Sequence, residues 1–141
     1  MIHEINSLEN LKSFASNFLS GITHSKIFLL YGEMGAGKTT FIQYLLNSMG
    51  IEELEGSPTY SLINSYLSKE YGQIYHLDLF RLKSTEEAFD IGIEEIVDGN
   101  SYCFIEWPEK IEGLLDEDCV KLHFSIVYNH VRAIEVINLS N

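Results

Sequence analysis

An eight-residue stretch, Gly-Glu-Met-Gly-Ala-Gly-Lys-Thr at 32–39, constrains this chain more than any other feature. It satisfies G-x-x-x-x-G-K-[ST] through Gly32, Gly37, Lys38 and Thr39, a match expected by chance in roughly one chain of this length in two hundred. Its flanks tighten the reading. Residues 26–31 (KIFLLY) form a short apolar run suited to a buried strand. Residues 38–49 predict a helix, with Phe41, Leu45 and Met49 at i, i+4 and i+8 and Gly50 as its stop. Strand, glycine turn and helix follow one another without a gap, as a phosphate-cradling loop requires.

The chemistry follows from the residue types. Gly32, Gly35 and Gly37 admit backbone angles that turn successive N–H groups inward, and Glu33, Met34 and Ala36 complete the cradle. The helix N-terminus adds unpaired donors and partial positive charge. Lys38 can reach β- and γ-phosphates, the Thr39 hydroxyl can ligate Mg²⁺, and Thr40 can donate to an α-phosphate.

Elsewhere the pattern is that of one α/β domain over 1–141, without repeats or low-complexity segments. Ser7 predicts an N-cap for a helix over 8–19. Strands are expected over 60–67 and 73–80, joined by a hairpin at 68–72 and therefore antiparallel. Ser84 with Glu87 resembles a capping box opening a helix towards Ile91. A further strand is expected at 101–105, and a closing pair at 119–127 and 132–139 turns near Asn129. The expected fold is a phosphate-loop NTPase-like sheet of mixed parallel and antiparallel strands, flanked by helices.

Charge narrows the partners. The 141 residues carry a net charge of −12, and the window 86–118 holds 12 acids against one base. A chain this acidic does not grip nucleic acid alone, because that grip depends on cations displacing counterions from phosphates. An anionic membrane surface would repel it as well. The longest apolar run falls far short of a membrane helix, and the N-terminus is unlike a signal peptide. Cys103 and Cys119 lack metal-ligand spacing and suit a reducing compartment, with one disulfide left open. The expected location is the cytoplasm.

Several residues can complete a site. Tyr102 to Glu106 reads as an apolar strand ending in an acid, the place where a carboxylate holds Mg²⁺ beside a phosphate loop. Trp107 follows, either as a core anchor or packed beside a nucleotide. Asp78 points away from the Leu77 and Leu79 face; it can orient water or join the metal shell, or be a solvated acid. Thr59, in Gly-Ser-Pro-Thr-Tyr, can sense a γ-phosphate or simply shape a turn around Pro58. The chain contains neither Asn-Lys-x-Asp nor Asp-x-x-Gly, so the usual guanine reader is missing.

Four segments now stand in order: GEMGAGKTTF, SPTYSL, HLDLFRL and IEWPE. Together they resemble the TsaE (YjeE) family of small bacterial ATPases, over about 7–136. The resemblance implies binding of ATP and Mg²⁺, and action with TsaD and TsaB in forming threonylcarbamoyladenosine (t6A) on tRNA, with tRNA contact left to the partners. It places phosphates on Gly35 to Thr40 and Mg²⁺ on Thr39 and Glu106. It makes Asp78 and Thr59 candidates for hydrolysis or γ-phosphate sensing, sets Trp107 beside the site, and matches Arg132 to an arginine near the adenine end. Val131 stands where the family often has Gly, and Leu11 where it often has Thr. Two rivals remain: a small-molecule kinase, which needs a basic lid although the chain has only Arg81 and Arg132, and a module that senses ATP without turning it over.

Overall fold

The computed structural model describes residues 1–52 and 62–137. Strands β1 (Ile2–Ile5), β2 (Ile27–Tyr31), β3 (Ile63–Ser68), β4 (Gly72–Asp78), β5 (Tyr102–Glu106), β6 (Val120–Tyr128) and β7 (Val131–Ile137) form one sheet, in the order β1-β7-β6-β2-β5-β4-β3. The central strands β6, β2, β5 and β4 are parallel, while β7, β1 and β3 add antiparallel edges. The fold class is the one the sequence predicts. Parallel strands are covered on both faces, and the alternation along β2 shows it. Phe28 and Leu30 join the cluster under helices α1 (Leu8–Phe18) and α2 (Lys38–Ser48), whereas Leu29 joins the cluster on the other face. That second face is covered by α3 (Thr85–Asp90), α4 (Ile93–Asp98) and a 3-10 helix (Pro108–Leu114).

Local signals explain most boundaries. The Ser7 side chain accepts from the Asn10 N–H at 3.0 Å, capping α1 as expected. Ser84 accepts from the Glu87 N–H at 3.2 Å, the forward half of a capping box. The β3–β4 hairpin is antiparallel, with Ser68 opposite Gly72. Three elements were not anticipated: β1, α4 and the 3-10 helix. The strand expected to reach 80 ends at Asp78, although the Leu79 N–H still donates to the Glu106 carbonyl at 3.1 Å; 60–61 of the strand expected before it lie outside the described residues.

Cys103 and Cys119 are both buried thiols. Cys103 pairs with Ile27 on one side of β2, and Cys119 directly precedes β6 on the other side. Two strand spacings, roughly 9.5 Å, separate them, beyond the ~7 Å a disulfide spans. Burial pushes the Cys103 thiol up to about 12 and Cys119 up to about 11. Neither is therefore appreciably thiolate at neutral pH. A thiol reagent at pH 8 is expected to modify neither residue in the folded chain and both in denaturant; rapid labelling of the native protein would contradict this burial.

Candidate functional site: a cleft at the phosphate loop

The phosphate loop bridges β2 and α2 at the carboxyl ends of the parallel strands. Gly37 caps α2 at φ 105° with no side-chain cap. The first-turn amides therefore have no acceptor within the helix. Gly32, at φ 142°, is the tight point: a Cβ there would lie 2.5 Å from the Phe124 carbonyl oxygen on β6. Gly35 is also at positive φ, but a Cβ on it would meet no atom within 4 Å.

Lys38 is only 4% exposed. Its ammonium donates to the Gly32 carbonyl and lies 3.5 Å from the centroid of the Trp107 ring. Burial lowers its pKa from the ordinary lysine value, and the charges of Glu106, Glu109 and Asp78 partly restore it. A buried ammonium held among carboxylates is ready to exchange weak partners for phosphate oxygens.

Strand register assembles the acids. Asp78 on β4 stands directly opposite Glu106 on β5. Both belong to the face that carries α2, because Leu77 and Ile105 point to the other cluster. Glu106 is 2% exposed, and one of its carboxylate oxygens accepts from the Thr39 hydroxyl at 2.9 Å. The other lies 2.6 Å from Nε2 of His76. Asp78 is half-buried and accepts from the Phe80 N–H at 3.2 Å. Trp107 takes a left-handed backbone, φ 58°, immediately before Pro108. Such a conformation costs a non-glycine residue roughly 1–2 kcal/mol. It holds the ring over Lys38 and 5.1 Å from the Phe80 ring.

Two cavities flank the loop. A cleft of about 310 Å³ is lined by Met34, Gly35, Gly37, Lys38, Thr39, Thr40, Asp78, Phe80, Glu106 and Trp107. A second cavity of about 470 Å³ shares Gly35, Gly37 and Thr40 and runs under β1 and α1. Its walls mix apolar Leu11, Phe124 and Ile134 with polar Asn6, His130 and Arg132. Arg132 there donates to the Asn129 carbonyl at 2.9 Å. Trp107 thus lies beside the cleft rather than deep in the core. Thr59 lies outside the described residues. His76, Phe80, Asn6 and His130 are site neighbours that sequence reasoning missed. For His76 a signal existed: it precedes Asp78 by two residues and so shares its strand face.

The donor set bears on a metal. The Thr39 hydroxyl and Glu106 carboxylate are hard oxygen donors within hydrogen-bond distance of each other. Among the described residues no group of three or more His, Cys, Asp or Glu is placed to hold a metal ion. The Thr39–Glu106 pair of oxygen donors fits Mg²⁺, which usually takes one or two protein ligands and completes its shell with water and substrate phosphates.

The family described as threonylcarbamoyl adenosine biosynthesis protein TsaE matches residues 5–134. The chain belongs to the TsaE family. The tRNA threonylcarbamoyladenosine biosynthesis protein TsaE of Rickettsia prowazekii is 35% identical over 132 residues, covering 93% of this chain and 90% of the relative. The TsaE of Haemophilus influenzae is 37% identical over 139 residues, covering 98% and 87% respectively. The crystal structure of Bacillus subtilis YdiB superposes with a TM-score of 0.71 at 24% identity, over 95% of this chain and 82% of that one. This structural likeness supports the α/β phosphate-loop fold. Three of the four motifs, GEMGAGKTTF, HLDLFRL and IEWPE, meet around one loop here, while 57–61 of SPTYSL, Thr59 included, lie outside the described residues. No described helix is long and apolar enough to cross a membrane.

Proposed function

We infer that this TsaE chain is a Mg-ATP-dependent ATPase that supports t6A formation on tRNA together with TsaD and TsaB. The observation that carries this reading is the Thr39–Glu106 hydrogen bond at the floor of the phosphate-loop cleft, with Lys38 and Asp78 beside it. In this account the loop amides and Lys38 bind the β- and γ-phosphates, and Thr39 and Glu106 hold the metal. Bound Mg²⁺ supplies charge neutralisation to the phosphate oxygens. Asp78 orients the attacking water, and Phe80 and Trp107 shield it from bulk solvent. The second cavity receives the nucleoside, with Arg132 at its polar end.

The chain provides little cationic help for the transition state. Among the cleft-lining residues the only cation is Lys38, and arginines supplied in trans commonly accelerate phosphoryl transfer. Hydrolysis is therefore expected to be slow until TsaB–TsaD completes the site. Glu86, Asp90, Glu94 and Glu95 are exposed on α3 and α4 and offer an acidic face to a basic partner surface. Contact with tRNA falls to the partners, and the working location is the cytoplasm.

Product analysis with γ-labelled ATP tests the reading. Inorganic phosphate is expected, released faster when TsaB–TsaD is present. A phosphorylated metabolite would support a kinase instead. ATP binding without phosphate release under any condition, with unimpaired t6A formation by Asp78→Asn and Glu106→Gln, would leave an ATP sensor.

A further inference from the structure

Glu106 is held from behind by His76, a residue with no part so far in the proposed Mg-ATP chemistry. His76 is 7% exposed, on the same sheet face as Ile74 and Asp78. It stands directly opposite Phe104, and Asp78 stands opposite Glu106. His76 and Glu106 are thus diagonal neighbours on parallel strands, close enough for side chains to meet. Nε2 lies 2.6 Å from one Glu106 oxygen, while the other oxygen accepts from Thr39. An ionised carboxylate only accepts, so Nε2 carries the hydrogen in this contact.

The contact is costly to build unless it does something. A polar ring buried beside Ile74 and Phe104 must find a partner, and an apolar residue would fill that place without one. Glu106, in turn, has a flexible side chain whose carboxylate could adopt several orientations. With one oxygen fixed by His76, the other is held towards Thr39 and the cleft. Carboxylates that serve metals are commonly oriented by such a hydrogen-bonding neighbour, and losing it lowers metal affinity about 10–100-fold.

We propose that His76 is a positioning residue, which fixes the Glu106 carboxylate so that its Thr39-side oxygen is preset for Mg²⁺ at the phosphate loop. The proposal rests on the Mg-ATP reading of the cleft. It assigns β4 two separate tasks at the site: Asp78 at the cleft wall, and His76 behind the metal acid. The bond to Thr39 adds that both proposed metal ligands are already aligned with each other before nucleotide arrives.

The test compares binding of a non-hydrolysable ATP analogue in saturating Mg²⁺ and in EDTA, using the full chain. The readout is the factor by which Mg²⁺ tightens binding. His76→Phe keeps ring volume but has no donor, His76→Asn is polar but too short, and His76→Gln places an amide donor near the position of Nε2. The factor is expected to fall about tenfold or more in His76→Phe and His76→Asn, and to recover in His76→Gln, while affinity in EDTA stays at the wild-type value. A wild-type factor in both His76→Phe and His76→Asn, whatever happens to thermal stability, would overturn the proposal and leave His76 a structural residue. Wild-type protein that binds the analogue without any gain from Mg²⁺ would overturn the underlying metal reading, and the proposal with it.

Discussion

Gly32→Ala is expected to destabilise the fold by about 3 kcal/mol, lowering the thermal midpoint by roughly 10 °C. Two effects combine. At φ 142° an L side chain is strained, and its Cβ would press to within 2.5 Å of a backbone oxygen on β6. A backbone atom cannot swing aside as a side-chain tip can, so the β2–β6 pairing itself must shift. Gly35→Ala is the control. Its φ of 85° also disfavours alanine, but nothing lies within 4 Å, so the cost is about 1 kcal/mol. Thermal denaturation of both variants checks the contrast. Equal midpoints would mean that the base of the loop is not packed against β6 as described.

Lys38→Met is expected to weaken ATP binding about 100-fold, the loss of one charge-assisted contact to phosphate. Trp107 is the only tryptophan and lies against Lys38, so intrinsic fluorescence reports the titration. Stability is expected to move the other way, or not at all. Burial disfavours the charged form of Lys38, so the native state holds its proton less tightly than the unfolded chain does. Wild type is thus handicapped at neutral pH, and that handicap fades as pH rises through the lowered native pKa towards the ordinary lysine value. The stability gap between Lys38→Met and wild type should narrow over the same interval. Undiminished ATP affinity in Lys38→Met would remove Lys38 from the site.

How much of this was legible in the chain depended on the range of the forces involved. The phosphate loop, the Ser7 cap and the hairpin at 68–72 are set by neighbouring residues, and the sequence displays them. β1 is different: its four residues include His3 and Glu4, and it becomes a strand only by pairing with β7 at the far end of the chain. α4 was hidden because Gly92, at φ 83°, divides one helical stretch into two short ones. The 3-10 helix starts from Trp107, whose left-handed backbone no local pattern announced.

The site shows the same division. Lys38 and Thr39 were evident from spacing alone. Asp78 and Glu106 were individually ambiguous acids, each at the end of an apolar strand. Register sets them opposite each other across β4 and β5, a juxtaposition that no local pattern carries. His76 shares a strand face with Asp78 two residues on, but its partner lies on another strand, and that pairing has no signature in the sequence around it. Trp107 could be weighed but not placed, since both of its readings put it next to buried residues.

ATP bound and hydrolysed in this cleft is expected to support t6A formation on tRNA. The most direct measurement is the t6A content of tRNA, by mass spectrometry, in cells whose own TsaE has been depleted and replaced by this chain. The wild-type chain is expected to restore t6A, and Lys38→Met and Glu106→Gln, expressed to the same level, are expected not to. Full restoration by either variant would contradict this expectation.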